Sequence, residues 1–96
     1  MRKISLEEFK TCLSGTEPPE DFNPQAEALW YAGKGNWEKA HQIVQDLEDP
    51  VSYRIHAFLH RQEGDHSNAR YWYNKAGIKM PEKSTDIEWQ EIVSTL

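Results

Sequence analysis

The sequence predicts an all-α fold, and three observations carry that prediction. Helix start and stop signals recur along the chain, apolar residues between them fall at helical spacing, and no segment alternates apolar and polar residues as a half-buried strand does. The length of 96 residues fits one domain. Three Phe, four Tyr and four Trp supply the large rings with which so small a domain can bury enough apolar area to fold.

The first helix is predicted over residues 6–14. Ser5 and Glu8 have the spacing of a capping box, in which each side chain bonds the backbone of the other residue. Gly15 is a natural end point, because glycine adopts the left-handed conformation without steric cost. The two prolines that follow predict an extended linker up to the second helix.

The second and third helices are predicted to form a hairpin. Asn23 followed by Pro24 reads as an N-cap with proline at the first helical position. A break with two glycines follows at residues 33–35, after which Asn36 can cap the third helix. The third helix carries these apolar residues on one face: Trp37, Ala40, Ile43, Val44 and Leu47.

The last three helices are marked by the same signals. Asp49 and the proline after it start a fourth helix, whose apolar residues lie nearly all around it and predict a central helix packed on several sides. A Glu-Gly-Asp break then opens the fifth helix, which Gly77 closes. Thr85 and Glu88 have capping-box spacing, so a final helix is predicted over residues 85–96.

The chain contains an internal repeat with an offset of 29 residues (64 minus 35). Three pairs of residues share this offset: Gly35 with Gly64, Ala40 with Ala69, and Ala28 with Ala57. Each unit has a helix that ends near a glycine, a polar turn, and a second helix whose small alanine lets the two helices approach closely. The repeat therefore predicts two equivalent helix hairpins within residues 23–81.

This pattern of glycine turn, alanine and proline resembles the tetratricopeptide repeat, and the string from Trp72 to Gly77 resembles the second helix of Sel-one-like repeats. The resemblance implies a single all-α domain over residues 1–96, built as a short right-handed stack of two antiparallel helix pairs with capping helices at both ends. The offset of 29 residues is shorter than the family period of about 34, which implies a trimmed helix or turn. The chain also resembles a small group of short repeat-like proteins, and that resemblance implies no activity.

Composition and charge indicate which partners and compartments to expect. A net charge of −5 and a pI near 5.3 argue against nucleic acid as a partner and against docking on anionic membranes. The single cysteine, Cys12, allows no intrachain disulfide, fits a reducing compartment and is expected to pack as a small apolar residue. Because the sequence has no apolar signal segment and no run of membrane-spanning length, the cytoplasm is the expected location.

Arg54, Phe58 and Arg61 form a ridge on the fourth helix and support the first functional hypothesis, a protein- or peptide-binding scaffold. The tetratricopeptide resemblance implies that this ridge faces a concave groove, with His60 extending it. Two arginines that flank a ring could clamp a carboxylate, such as a peptide C-terminus. The alternative is an ordinary solvated face with weak surface ion pairs.

His56 and His60, spaced four apart, support a second hypothesis of a different class. With His41 and Tyr73 they would line a pocket for a small molecule or a metal ion. A zinc site needs a third ligand, which His41 or Glu27 could supply only if the fold brings it near. Alternatively, the imidazoles are half-buried and hydrogen-bonded across the helix pair. The sequence alone assigns no metal ligand and no cofactor.

Trp72 and Tyr73 are neighbours on the fifth helix, so one ring is expected in the core. The other is expected at the cap helix or in solvent, where an exposed tryptophan would mark an interaction patch. A third hypothesis is a structural part that self-associates through exposed apolar ends, for instance as a homodimer. The sequence has no nucleophile, phosphate-loop or acid–base motif, so no catalytic residue is assigned and an enzyme is not expected.

Overall fold

The structure is a computed structural model that describes residues 3–96, and within that range it forms six α-helices and no strand. The helices are α1 (Leu6–Cys12), α2 (Pro24–Gly33), α3 (Trp37–Val44), α4 (Pro50–Gln62), α5 (His66–Ala76) and α6 (Thr85–Ser94). The all-α prediction is confirmed. Met1 and Arg2, which the predicted domain over residues 1–96 includes, lie outside the described residues.

The first helix has the predicted capping box but ends earlier than predicted. Glu8 N donates to Ser5 Oγ at 3.1 Å, and Ser5 N donates to Glu8 Oε1 at 3.3 Å. The helix ends at Cys12 because the next two backbone amides turn back to carbonyls only three residues before them. The Cys12 side chain packs against the core, and burial raises the pKa of its thiol.

The helices form two hairpins, α2–α3 and α4–α5. The turn within the first hairpin has the same geometry as the turn within the second. Gly35 and Gly64 both adopt the left-handed conformation, with φ of 81° and 85°. Asn36 N donates to the Tyr31 carbonyl at 2.8 Å, and its counterpart Asp65 N donates to the His60 carbonyl at 2.9 Å. The four paired alanines are fully buried: Ala28, Ala40, Ala57 and Ala69. The repeat in the sequence therefore corresponds to two hairpins with matching turns.

Helix α4 lies at the centre and packs against α2, α3, α5 and α6. Its Ile55, Phe58 and Leu59 side chains are fully buried, which explains why apolar residues surround this helix in the sequence. The terminal helices α1 and α6 contact each other and are tied to α2 through indole nitrogens. Trp30 Nε1 donates to the Cys12 carbonyl at 3.0 Å, and Trp89 Nε1 donates to the Leu29 carbonyl at 2.9 Å.

The start of α6 differs from the prediction in a way that bears on function. Its N-cap is Ser84, whose Oγ accepts from Ile87 N at 3.2 Å, and Thr85 is the first helical residue. Glu88 is therefore not a capping-box residue, and its side chain is fully buried inside the domain. None of the helices within residues 3–96 has the length and apolarity that crossing a bilayer requires.

Candidate functional site

Three helices each bring a pair of residues, spaced four apart, to one place between the hairpins. The pairs are Trp37 and His41 on α3, His56 and His60 on α4, and Asn68 and Trp72 on α5. Residues at this spacing lie on the same face of a helix, so each helix presents two side chains to the site. The three imidazoles, His41, His56 and His60, form what is called here the histidine cluster.

The ring nitrogens of the histidine cluster converge. His41 Nε2 lies 3.1 Å from His56 Nε2, and the His60 ring centre lies 5.2 Å from that of His41 and 4.9 Å from that of His56. One nitrogen from each ring lies within 4.8 Å of the other two. His56 and His60 are only 5% and 7% exposed, whereas His41 is partly exposed. Of the sequence hypotheses, only the pocket hypothesis requires these three rings to meet.

The hydrogen bonds define the proton arrangement in the cluster. A 3.1 Å contact between His41 Nε2 and His56 Nε2 requires one nitrogen to donate a proton and the other to accept it. On His60, Nδ1 lies 2.7 Å from Glu63 Oε2 and donates to that carboxylate. His60 Nε2 then carries a lone pair, which accepts from the Asn68 amide nitrogen at 3.3 Å. Each inward lone pair therefore already accepts a hydrogen bond, and one of the two Nε2 atoms of His41 and His56 carries a proton.

Burial keeps two of these rings neutral. Burial first, and then the neighbouring His41 and His60, lower the pKa of His56 to about 4. The pKa of His41 is also lowered, first by burial and then by His60, while Glu63 opposes the effect. At neutral pH both rings are therefore neutral imidazoles, each with one N–H and one lone pair. This is the form that binds metal ions.

Two tryptophans hold the imidazoles by their faces. Trp37 stacks on His41 with ring centres 4.8 Å apart and planes 8° apart, and Trp72 stacks on His56 at 4.0 Å and 18°. The Trp37 ring is itself fixed, because its Nε1 donates to the Leu59 carbonyl at 2.6 Å. With a face of each ring covered, His41 and His56 meet with their Nε2 atoms 3.1 Å apart and their planes at 82°, so these two nitrogens are oriented before any ligand arrives.

A surface cleft shares Trp37 and Glu63 with the surroundings of this site. The cleft is lined by Ala32, Gly35, Trp37, Gln62 and Glu63. Its walls include Trp37 and Glu63, the residue that holds His60, and none of the three clustered histidines lines it. The histidines are therefore clustered but do not surround a wide open cavity.

The ridge expected to line a groove is covered by α6, which corrects the first functional expectation. Phe58 is fully buried in the core. Arg61 Nη1 donates to Glu88 Oε1 at 2.9 Å, and Arg54 Nε lies 3.6 Å from Glu88 Oε2. Arg61 Nη2 also donates to the Lys83 carbonyl just before α6. The two arginines do clamp a carboxylate, but it belongs to the same chain.

Trp72 and Tyr73 point to different sites, as their adjacency predicts. Tyr73 is buried and its hydroxyl lies 2.6 and 2.7 Å from the two oxygens of Glu88. Burial and this carboxylate raise the pKa of Tyr73. The expectation that Tyr73 joins the histidines is therefore corrected, because the next residue along the helix, Trp72, faces them instead. Glu27, the other candidate third ligand, is not in the cluster, whose third ring is His41.

Three residues of these sites were not singled out for them from the sequence. Glu63 holds His60, Asn68 meets the other nitrogen of the same ring, and Glu88 fills the arginine clamp. Glu63 has a signal in the sequence, because it lies three residues after His60 on the same helix face. Asn68 and Glu88 reach their partners from other helices, so no local spacing indicates them.

Comparison with protein-family models, with curated proteins and with solved structures found no match for this chain. We therefore infer function from the geometry of the histidine cluster.

Proposed function

We propose that this chain is a metal-binding helical domain in which His41, His56 and His60 are nitrogen ligands of a divalent first-row transition ion such as Zn²⁺. The observation that carries the proposal is the 3.1 Å separation of His41 Nε2 and His56 Nε2. Zinc–nitrogen bonds of about 2.0–2.1 Å at the tetrahedral angle place two ligand atoms about 3.3 Å apart. The two imidazoles already have nearly that spacing.

The hydrogen bond behind His60 supports the proposal. Metal-binding histidines generally donate their second ring N–H to a carboxylate or carbonyl, which fixes the tautomer and turns the lone pair toward the metal. Glu63 accepts such a bond from His60 Nδ1 at 2.7 Å. The carboxylate also compensates part of the positive charge that a bound ion would bring into a largely buried site.

The preformed arrangement gives a second line of support. Ligand side chains that must be ordered on binding cost entropy, and stacking on Trp37 and Trp72 removes much of that cost. Trp37 lies on α3 in the first hairpin, and Trp72 lies on α5 in the second. The equal turns at Gly35 and Gly64 favour a tetratricopeptide-like scaffold, whose role here is to hold ligands from three helices in place.

A peptide-binding role at Arg54 and Arg61 is not part of this proposal, because both arginines are paired with carboxylates of the same chain, Arg61 with Glu88 and Arg54 with Glu88 and Glu91. The structural alternative for the histidines is a set of mutually hydrogen-bonded, half-buried rings without a ligand. The two descriptions differ in one measurable respect: only a ligand site has affinity for an added ion.

The test is a calorimetric titration of chelator-treated protein with Zn²⁺. The wild-type chain is expected to bind one ion. A free Zn²⁺ concentration of about 100 times Kd is expected to stabilise the fold by about 2.7 kcal/mol. His41→Asn and His56→Asn should each weaken binding by more than the 10–100-fold loss that removal of a second-shell partner typically causes.

The matched control is His66→Asn, which alters an exposed histidine at the start of α5. This variant should bind Zn²⁺ with unchanged stoichiometry and affinity. Absence of binding heat and of thermal stabilisation in the wild-type protein would remove the metal function. Equal losses in His66→Asn and His56→Asn would show that binding is non-specific.

A further inference from the structure

Three nitrogen ligands leave a tetrahedral ion one ligand short, and Asn68 is the polar side chain that α5 brings to this position. Its amide nitrogen lies 3.3 Å from His60 Nε2. That separation equals the spacing of about 3.3 Å expected between two ligands of one tetrahedral zinc ion. The distance between the Asn68 amide nitrogen and His60 Nε2 is therefore close to the distance between His41 Nε2 and His56 Nε2.

The chemistry of the amide allows two roles at one position. Without metal, the Asn68 –NH₂ group donates to the lone pair of His60 Nε2. Turning the amide by half a rotation about its last bond exchanges this group for Oδ1, an oxygen with free lone pairs. The backbone does not need to move, because Asn68 N is already tied to the N-cap carboxylate of Asp65 at 3.3 Å.

We infer that Asn68 Oδ1 is the fourth metal ligand and completes a three-nitrogen, one-oxygen site with His41, His56 and His60. This inference rests on the proposed function. Asn68 and Trp72 are four residues apart and therefore lie on the same face of α5. Trp72 stacks on His56 one turn further along this helix. The stacked indole holds this face of α5 against the cluster, so the amide keeps its place beside His60.

The neighbouring carboxylates fit the fourth position less well. Glu63 is bonded to Nδ1 of His60, and the two nitrogens of an imidazole direct their lone pairs or protons away from each other. A metal ion on Nε2 is therefore on the far side of the ring from Glu63. The Asp65 carboxylate is exposed and caps α5. His60, Glu63 and Asp65 nevertheless form a second group with metal-ligand spacing, so the experiment must separate the two groups.

An amide oxygen makes the site selective as well as complete. Nitrogen and oxygen ligands suit Zn²⁺, Co²⁺ and Ni²⁺, whereas soft ions such as Cu(I) prefer thiolate or thioether sulfur. No cysteine belongs to the ligand groups found within residues 3–96. The site is expected to take Zn²⁺ or Co²⁺ in preference to Cu(I).

The experiment measures Zn²⁺ affinity and the Co²⁺ visible spectrum for the wild-type chain, Asn68→Ala and Asn68→Asp. Loss of the amide in Asn68→Ala should weaken Zn²⁺ binding by at least about 10-fold, since removal of even a second-shell partner of a metal ligand typically costs about 10–100-fold. Asn68→Asp should bind more tightly than wild type, since an anionic oxygen replaces a neutral one. Both variants should shift the Co²⁺ ligand-field bands, because the atom at the fourth position changes.

Asn74→Ala is the matched control, since Asn74 is an exposed asparagine on the same helix. It should leave affinity and spectrum unchanged. Unfolding of the chelator-treated variants in urea separates a loss of ligand from a loss of fold.

The outcomes distinguish this inference from the proposed function. If wild-type protein does not bind Zn²⁺ or Co²⁺, the proposed function fails. If wild-type and Asn68→Ala bind equally and give the same Co²⁺ spectrum, the role of Asn68 is refuted while the three-histidine site stands. If Asp65→Asn abolishes binding and His41→Asn does not, the second group is the site, and both the three-histidine assignment and the role of Asn68 are wrong.

Discussion

Replacement of Glu88 by glutamine should be among the most destabilising conservative changes in this chain. Glu88 is fully buried, and it accepts from Arg61 Nη1 at 2.9 Å and from the Tyr73 hydroxyl at 2.6 and 2.7 Å. Removing one partner of a buried ion pair typically costs about 3–5 kcal/mol, because the other charge is left without compensation. Glutamine keeps the volume and one acceptor oxygen, so the expected loss is near the lower limit, about 3 kcal/mol.

The contribution of Arg54 to this loss is smaller than that of Arg61. The Arg54 side chain is 22% exposed and also lies 3.8 Å from Glu91, so solvent and a second carboxylate screen its charge. For a 96-residue chain, a stability of about 0.05–0.15 kcal/mol per residue amounts to about 5–14 kcal/mol. The substitution should therefore remove a large share of the total.

The assay is urea unfolding followed by tryptophan fluorescence and circular dichroism. Glu91→Gln is the control, because Glu91 is 42% exposed and pairs with Lys83 at 2.7 Å on the surface. An exposed ion pair contributes about 0–1 kcal/mol, so this variant should lose less than about 0.5 kcal/mol. If the two variants differ in unfolding free energy by less than about 0.5 kcal/mol, the buried clamp does not stabilise the packing of α6.

Three further changes have defined outcomes. In chelator-treated protein, the free energy of unfolding should fall by up to about 3 kcal/mol as pH drops from 6.5 toward 4, because the unfolded chain takes up the proton that buried His56 excludes. In urea melts at pH 7 and pH 4.5, His56→Gln should lose less unfolding free energy between the two pH values than the wild-type protein does. An equal loss in the variant would contradict the role of His56 in this pH dependence. Gly33→Ala should cost about 1–3 kcal/mol by thermal unfolding, since its new Cβ would lie 2.9 Å from the hydrogen-bonded Trp89 ring, and unchanged stability would show that the contact relaxes freely. Ala69→Leu should cost at least as much, because Ala69 is fully buried between α4 and α5, and a stable variant would argue against close approach there.

The helices could be predicted from the sequence because their signals are local. A capping side chain bonds an amide three residues along the chain, as Ser5, Asn23 and Asp49 do. The turns at Gly35 and Gly64 depend on the same short range, since a left-handed residue follows each helix end. Such features do not depend on how the helices later pack.

The position of α6 could not be predicted in this way. The ridge of Arg54 and Arg61 is visible from α4 alone, but its occupant, Glu88, comes from a helix 27 residues further along than Arg61. Spacing within one helix gives the direction of a side chain and says nothing about which helix will cover it. The expectation, implied by the tetratricopeptide resemblance, that this ridge faces an open groove was wrong for this reason.

The histidine cluster could be predicted from the sequence only in part. The spacing of four between His56 and His60 is a local signal, and the hairpin repeat brings α3 alongside α4 so that His41 can reach them. Asn68 carries no signal of its own, because an asparagine near a helix start is first of all a turn or surface residue. Its contact with His60 follows only from how α5 packs on α4.

The most direct test of the central claim is an NMR measurement of the imidazole nitrogens as Zn²⁺ is added to ¹⁵N-labelled, chelator-treated protein. One equivalent of Zn²⁺ should shift the metal-facing nitrogens of His41, His56 and His60 together, while exposed His66 stays unchanged. Unperturbed ring nitrogens in the three clustered histidines, or a shift confined to His66, would contradict the account.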